Sequence, residues 1–216
     1  MYQQQLERFA RTAQFRVADY GNAHFRLDNA AIRELRQRSY FEQWRLATEN
    51  KWYHVRLEDH SLFLFDPDRG PSYSYLQCPL DVISYRDYLD SMDLEFTRIN
   101  RVRYEREYEE VMSTAVLRAH VTPIRYDMDV SGYTTCLHPA AHIHVGLENE
   151  IRLAVRREMR PVAFFLFVMR QMYPSSWRCL LERQQNLGIT RHVREDLAIL
   201  DDKYFNSQDE LQTYLA

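Results

Sequence analysis

HPAAHIHVGLENEIRLAVRR, residues 138–157, is the stretch on which the reading of this chain turns. Ile143 and Val145 share one parity, and Ile151, Leu153 and Val155 share it too. Period-two alternation therefore puts all five on one face of a two-stranded ribbon, the core face. His142, His144, Arg152 and Arg156 have the opposite parity and emerge together on the other face. Matching apolar to apolar across the strands sets Val145 against Ile151 and Ile143 against Leu153. This leaves Leu147, Glu148 and Asn149 as a three-residue loop whose last position is left-handed, a conformation asparagine tolerates. The same register puts His144 directly across from Arg152, with side-chain origins about 5 Å apart. Imidazole and guanidinium share one patch.

Upstream of the hairpin, residues 119–128 read as a strand, with Pro123 pointing to an edge or a bulge, and VSGY at 130–133 as a turn. From Tyr40 the texture is also β. Trp44 and Leu46 alternate with polar neighbours, Tyr53, Val55 and Leu57 follow, then the run Leu62 to Phe65, then Ser72 to Cys78 with Tyr73 and Tyr75 on one side. Polar breaks at Glu49-Asn50 and Asp59-His60 suit an antiparallel meander. Inserted in it are a short helix started by Ser84 and Asp87 and a long one whose stripe is Tyr104, Tyr108, Val111, Met112, Ala115 and Val116. Its remaining positions mix Arg and Glu, which makes a solvated face rather than a nucleic-acid ridge.

The two ends read as helical. Leu6, Phe9, Ala10, Ala13, Val17 and Tyr20 recur at helical spacing over 2–20, with Gly21 as a cap, and a second helix runs from about Ala30 to Arg38 behind Asp28 or Asn29. Beyond the hairpin, Pro161 suits a first helical turn, and VAFFLFVMRQM is apolar on all sides, as a central helix should be. Ser175 or Ser176 caps a further helix to about Gln185, and Ser207 with Glu210 matches a capping box before the C-terminus. The fold class expected is α+β: one domain over 1–216, with helical parts at 1–38 and 160–216 and a single antiparallel sheet with inserted helices at 40–157.

Composition limits the functions available. The 216 residues are 45% hydrophobic and 27% charged with a net charge of −3, so the chain folds and carries no overall basic field for nucleic acid. Three cysteines at 78, 136 and 179 fit neither a disulfide framework nor a zinc knuckle, and reduced thiols in a cytoplasmic protein are the simpler reading. The N-terminus has no signal-peptide core, and Val162 to Met169 is far shorter than the roughly 20 residues that cross a bilayer. Fifteen tyrosines and eleven phenylalanines point either to a large aromatic core, the reading preferred, or to surfaces buried against partners. No nucleophile elbow and no glycine-rich phosphate loop is present.

Three readings of the His/Arg patch stay open. Arg152 and Arg156 could fork onto a phosphate or carboxylate while His142 or His144 moves a proton, as in a metal-independent nuclease or phosphodiesterase. His142 and His144, two apart on one strand, could be adjacent metal ligands completed by His138 or Glu148. The spacing HxHxxxE resembles the first metal motif of cupins, but Gly132 lies too far upstream and the helical content does not suit a jelly roll. Arg152 opposite His144 would also repel a cation. The third reading is structural: the polar face of an amphipathic hairpin, covered by a helix or a partner, with His138-Pro139 shaping the approach. Asp127 and Asp129 share a strand face and could hold a divalent cation, although paired acids also protect an edge strand.

Taken together, IRYDMD at 124–129, HPAAHIHVGLENEIRLAV at 138–155 and RPVAFFLFVMRQMYPSSW at 160–177 resemble an uncharacterised bacterial family, a domain of unknown function. Its pattern runs YD, HPxxHxHxG, N, R, P and F before a final YP. The matching positions are Tyr126, Asp127, His138, Pro139, His142, His144, Gly146, Asn149, Arg152 and Pro161; Leu153-Ala154 departs from an expected Ile-Pro. The resemblance implies small proteins that accompany ATPases or nucleases in anti-phage defence loci. The leading expectation is accordingly a non-catalytic accessory subunit that binds other proteins, with no cofactor and no metal assigned. His142, His144 and Arg152 are the catalytic candidates should it be an enzyme, and His138, Arg156, Asp127 and Asn149 the binding candidates.

Overall fold

The structure is a computed structural model in which residues 2–22, 24–68, 70–147, 151–183, 188–212 and 214–216 are described. One eight-stranded sheet organises the chain in strict sequence order. Its strands are β1 (Val17–Tyr20), β2 (Val55–Leu57), β3 (Leu62–Asp66), β4 (Ser72–Leu76), β5 (Ile124–Met128), β6 (Ala141–Val145), β7 (Ile151–Val155) and β8 (Tyr214–Leu215). Neighbours from β1 to β7 pair antiparallel, while β8 lies parallel to β7. The fold is α+β, as expected, with a meander extended by one parallel strand.

The helices correct the sequence reading at two places. Helix α1 (Tyr2–Thr12) stops eight residues short of Tyr20, because Gln14 turns left-handed at φ 51° and sends the chain into β1. Gly21 is therefore not a helix cap. A side chain there would collide with the Tyr53 carbonyl, so the residue is glycine for close approach to the segment entering β2. Helix α2 (Asn29–Leu35) starts where expected, with Asp28 accepting from the Ala31 amide at 2.7 Å. Residues 40–49, expected as strand, form α3 (Tyr40–Glu49). Ser39 and Glu42 close a capping box there, and Trp44 and Ala47, three apart, are its buried residues. Two alternating apolar residues are too short a run to separate the two periods.

Helix α4 (Tyr85–Asp90) follows Ser84 as expected, and α5 (Arg98–Thr114) is the long charged helix. Its stripe is shallower than expected: Tyr108 alone is buried, while Val111 and Val116 are exposed. Helices α6 (Pro161–Met172) and α7 (Pro174–Glu182) come next, each with proline in the first turn. Neither serine candidate caps α7; Tyr173 occupies that position without a side-chain bond. The tail beyond is less helical than expected, with a five-residue π turn at Arg191–Glu195, a 3-10 turn at Asp209–Leu211 in place of a capped helix, and then β8. Among the described residues no helix is long and apolar enough to cross a membrane.

Helix α6 lies at the centre of the main core. Phe164 packs edge-on to Phe63 and Phe65 and against Tyr73, and Phe165 against Phe63 and Phe15. Each such ring contributes roughly 1.5–3 kcal/mol by leaving water. Tyr53, Tyr73, Tyr75 and Tyr126 are all fully buried, so four of the fifteen tyrosines lie wholly in the interior. Val55, Leu57, Phe63, Phe65, Tyr73, Tyr75, Ile124, Tyr126 and Ile143 carry the sheet's contribution to this core. On the opposite face α3 covers one end, where Trp44 and Ala47 meet Leu62, Leu64 and Leu76. The rest of that face is polar.

Candidate functional site

The polar face follows from alternation in three central strands. In β5, β6 and β7, Tyr126, Ile143 and Leu153 oppose one another on the core side. Arg125 opposes His144 and His144 opposes Arg152, while Asp127 opposes His142 and His142 opposes Ala154. The hairpin register is that read from the sequence, pair for pair. What differs is depth. His142 and His144 are 2% and 3% exposed, and the segment before β6 folds back over His142 through the Pro139 carbonyl and the His138 ring. The chain's own loop covers the His142 end of the face, while Arg125 and Asp127 stay partly exposed and Arg152 exposed.

Side chains from β4, β5 and β6 converge beneath that loop. The Pro139 carbonyl accepts from His142 Nδ1 at 2.7 Å. A carbonyl has no proton to give, so Nδ1 carries the hydrogen and neutral His142 has a bare Nε2. That nitrogen is 3.0 Å from His144 Nε2, and His144 Nε2 is 3.4 Å from Asp127 Oδ2. One donor atom from each of Asp127, His142 and His144 lies within 4.8 Å of the others. Arg125 Nε donates to Asp127 Oδ2 at 2.6 Å and Ser72 Oγ to Oδ1 at 2.8 Å, which fixes the carboxylate.

The electrostatics keep the carboxylate charged and the His142 imidazole neutral. Burial alone would raise the Asp127 carboxyl, but bonds from His144, Ser72 and Arg125 and the Arg125 charge hold it well below the usual carboxylate range. Burial, aided by His144, lowers His142, so its imidazole is unprotonated at neutral pH despite the Pro139 bond that opposes this. Metal–nitrogen bonds of about 2.0–2.1 Å at tetrahedral or octahedral angles separate donors by roughly 3.0–3.4 Å, the spacing of the His142–His144 and His144–Asp127 pairs.

The other candidates take varied places. His138 lies against His142, rings 5.1 Å apart and edge to face, and its Nδ1 is buried without a hydrogen-bond partner. Its loop is pinned from the C-terminus: Asp209, buried, accepts from Tyr133 OH at 2.6 Å and the Cys136 amide at 2.8 Å. Arg152 is exposed on the same face as His144. Arg156 does not join the patch. Its guanidinium pairs with Glu210 and lies over Phe205, so it ties β7 to the tail. Asp129 is also apart, accepting from Ser131 and the Gly132 amide in a turn beyond β5. Asn149 and Glu148 lie outside the described residues. Pro123 sits one residue ahead of β5, an interior strand rather than an edge, and its carbonyl accepts from Gly146 N. Arg125 and Ser72 were missed. Alternation along RYD would have placed Arg125 beside Asp127, but only strand pairing brings Ser72 there.

Two hollows lie elsewhere. One is bounded by Phe15, Glu58, Asp59 and Tyr173, the other by Tyr2, Arg160 and His192.

Residues 10–210 match the family model described as an uncharacterized conserved protein, DUF2290, and the chain belongs to that family. Comparison with curated proteins and with solved structures gives no match.

Proposed function

We propose that this member of the DUF2290 family is a metal-binding protein in which Asp127, His142 and His144 hold one divalent first-row ion, with zinc the natural fit to two imidazoles and a carboxylate. The observation that carries the reading is the pair of buried imidazole Nε2 atoms 3.0 Å apart beside a carboxylate oxygen. A single proton between them serves two acceptors poorly, one at 3.0 Å and one at 3.4 Å. A cation serves all three donors. The Pro139 and Arg125 contacts are the outer-shell bonds that orient such ligands. Repulsion from Arg152 is weak because that side chain is exposed and screened by solvent, and Arg125 is offset by Asp127. Three protein ligands among the described residues are the number that a Lewis-acid centre uses, with further positions taken by water or substrate.

The test is metal content. Untagged protein incubated with zinc and then freed of unbound ion should retain about one equivalent, and Asp127→Ala or His142→Asn should retain little. Wild-type protein that retains no more zinc than these variants would overturn the reading.

A second reading, binding to another protein subunit such as an ATPase or nuclease of a bacterial defence assembly, is supported by Leu137 and Leu211. These are 78% and 86% exposed, and they flank the Cys136–Asp209 contact that joins the loop to the tail. Charged replacements of both should abolish co-purification with such a subunit and leave folding intact; undiminished co-purification would argue against this surface.

A further inference from the structure

The metal centre does not stand alone on its face. His144 is flanked on both neighbouring strands by directly opposed arginines, Arg125 on β5 and Arg152 on β7. Strands are about 4.8 Å apart, so the two arginines straddle His144 at roughly 10 Å between Cα atoms. Arg125 uses Nε to hold Asp127, and its two terminal nitrogens donate to no described residue; its side chain is 34% exposed. Arg152 is exposed and forms no ion pair with a described residue. Among the described residues a divalent ion at Asp127, His142 and His144 would be offset by one carboxylate, and that carboxylate is already shared with Arg125. The filled centre is strongly positive, and its open positions call for an anion.

We infer that the centre binds a terminal phosphate group, with one oxygen on the metal and others on Arg125 and Arg152. The inference rests on the metal-binding reading. A ligand with three free oxygens and a charge of about −2 meets each of these three cationic partners with an oxygen of its own. A carboxylate has two, and so does a phosphodiester; inorganic phosphate and a phosphate monoester have enough. Charge and oxygen number thus favour the monoester over the phosphodiester that a nuclease would take.

Calorimetric titration of zinc-loaded protein, cleared of unbound ion, tests this with inorganic phosphate, phenyl phosphate and dimethyl phosphate. The first two should bind, and the diester should bind at least about tenfold more weakly; tighter binding of phenyl phosphate than of inorganic phosphate would identify an ester as the source. Arg152→Ala, a change at an exposed position, should weaken phenyl phosphate binding about tenfold or more at unchanged zinc content, with partial recovery in Arg152→Lys. Equal affinity for monoester and diester, or an Arg152→Ala protein that binds phosphate as wild type does, would overturn the inference while leaving the metal centre standing. Failure of wild-type protein to load zinc would instead remove the centre on which it rests.

Discussion

His142→Asn separates the structural contribution of the central imidazole from its contribution as a ligand. Asparagine can still donate to the Pro139 carbonyl, which His142 Nδ1 now meets at 2.7 Å, but it presents nothing where Nε2 faces His144. Without metal the substitution should cost about 1–2 kcal/mol, one buried hydrogen bond and some packing at a position only 2% exposed. With zinc at about a hundredfold above the dissociation constant, wild type gains roughly 2.7 kcal/mol, because the ion binds the native state. For a chain of 216 residues that is a rise of about 5–11 °C in melting temperature. Loss of one of three ligands should weaken affinity at least about a hundredfold, leaving a gain near 0.4 kcal/mol, or about 1–2 °C, at the same zinc concentration. Differential scanning fluorimetry with and without zinc reads both quantities. A zinc-induced rise in His142→Asn equal to that of wild type would refute the assignment of Nε2 as a donor.

Three further outcomes follow from other parts of the molecule. His54 and His60 are lowered from 6.5 to about 4, each by burial first and then by a nearby arginine, Arg26 and Arg56 respectively. Both are neutral when folded, so the unfolded chain takes up more protons below pH 6.5, and stability present above that pH is lost as pH falls toward 4, roughly 3 kcal/mol for each histidine. Urea midpoints measured from pH 7 to 4 should fall accordingly, and His60→Gln should flatten the slope; a pH-independent midpoint would contradict the burial. Gly21→Ala should destabilise by about 1–3 kcal/mol, because its methyl group meets the Tyr53 carbonyl, and an unchanged denaturation midpoint would mean that β1 does not lie against β2 as described. Ser39→Ala should cost about 0.5–2 kcal/mol through loss of the α3 capping box, whereas a strand at 40–49 would be indifferent to it.

Where apolar residues recur over enough positions, period and parity determined the local structure from sequence alone. Ile143, Val145 and Leu153 set the β6/β7 register, because a slip by one residue would turn a core row outward, while Ile151, expected in that row, is 55% exposed at its end. The all-round apolar run at 162–169 marked α6 as the central helix for the same reason. Short windows did not suffice. Two apolar residues at 44 and 46 suit either period, and Val17 and Tyr20 extend a helical pattern that Gln14 has already ended. Parity says which side of a strand a side chain leaves, but not what covers that side. Only the tertiary structure folded the loop before β6 over His142, brought Asp127 and Arg125 from β5 and Ser72 from β4 to the histidines, and drew Arg156 away to Glu210. Sequence alternation is a local steric rule, whereas a coordination set depends on pairing between segments up to 72 residues apart, from Ser72 to His144, and no local rule carries that information.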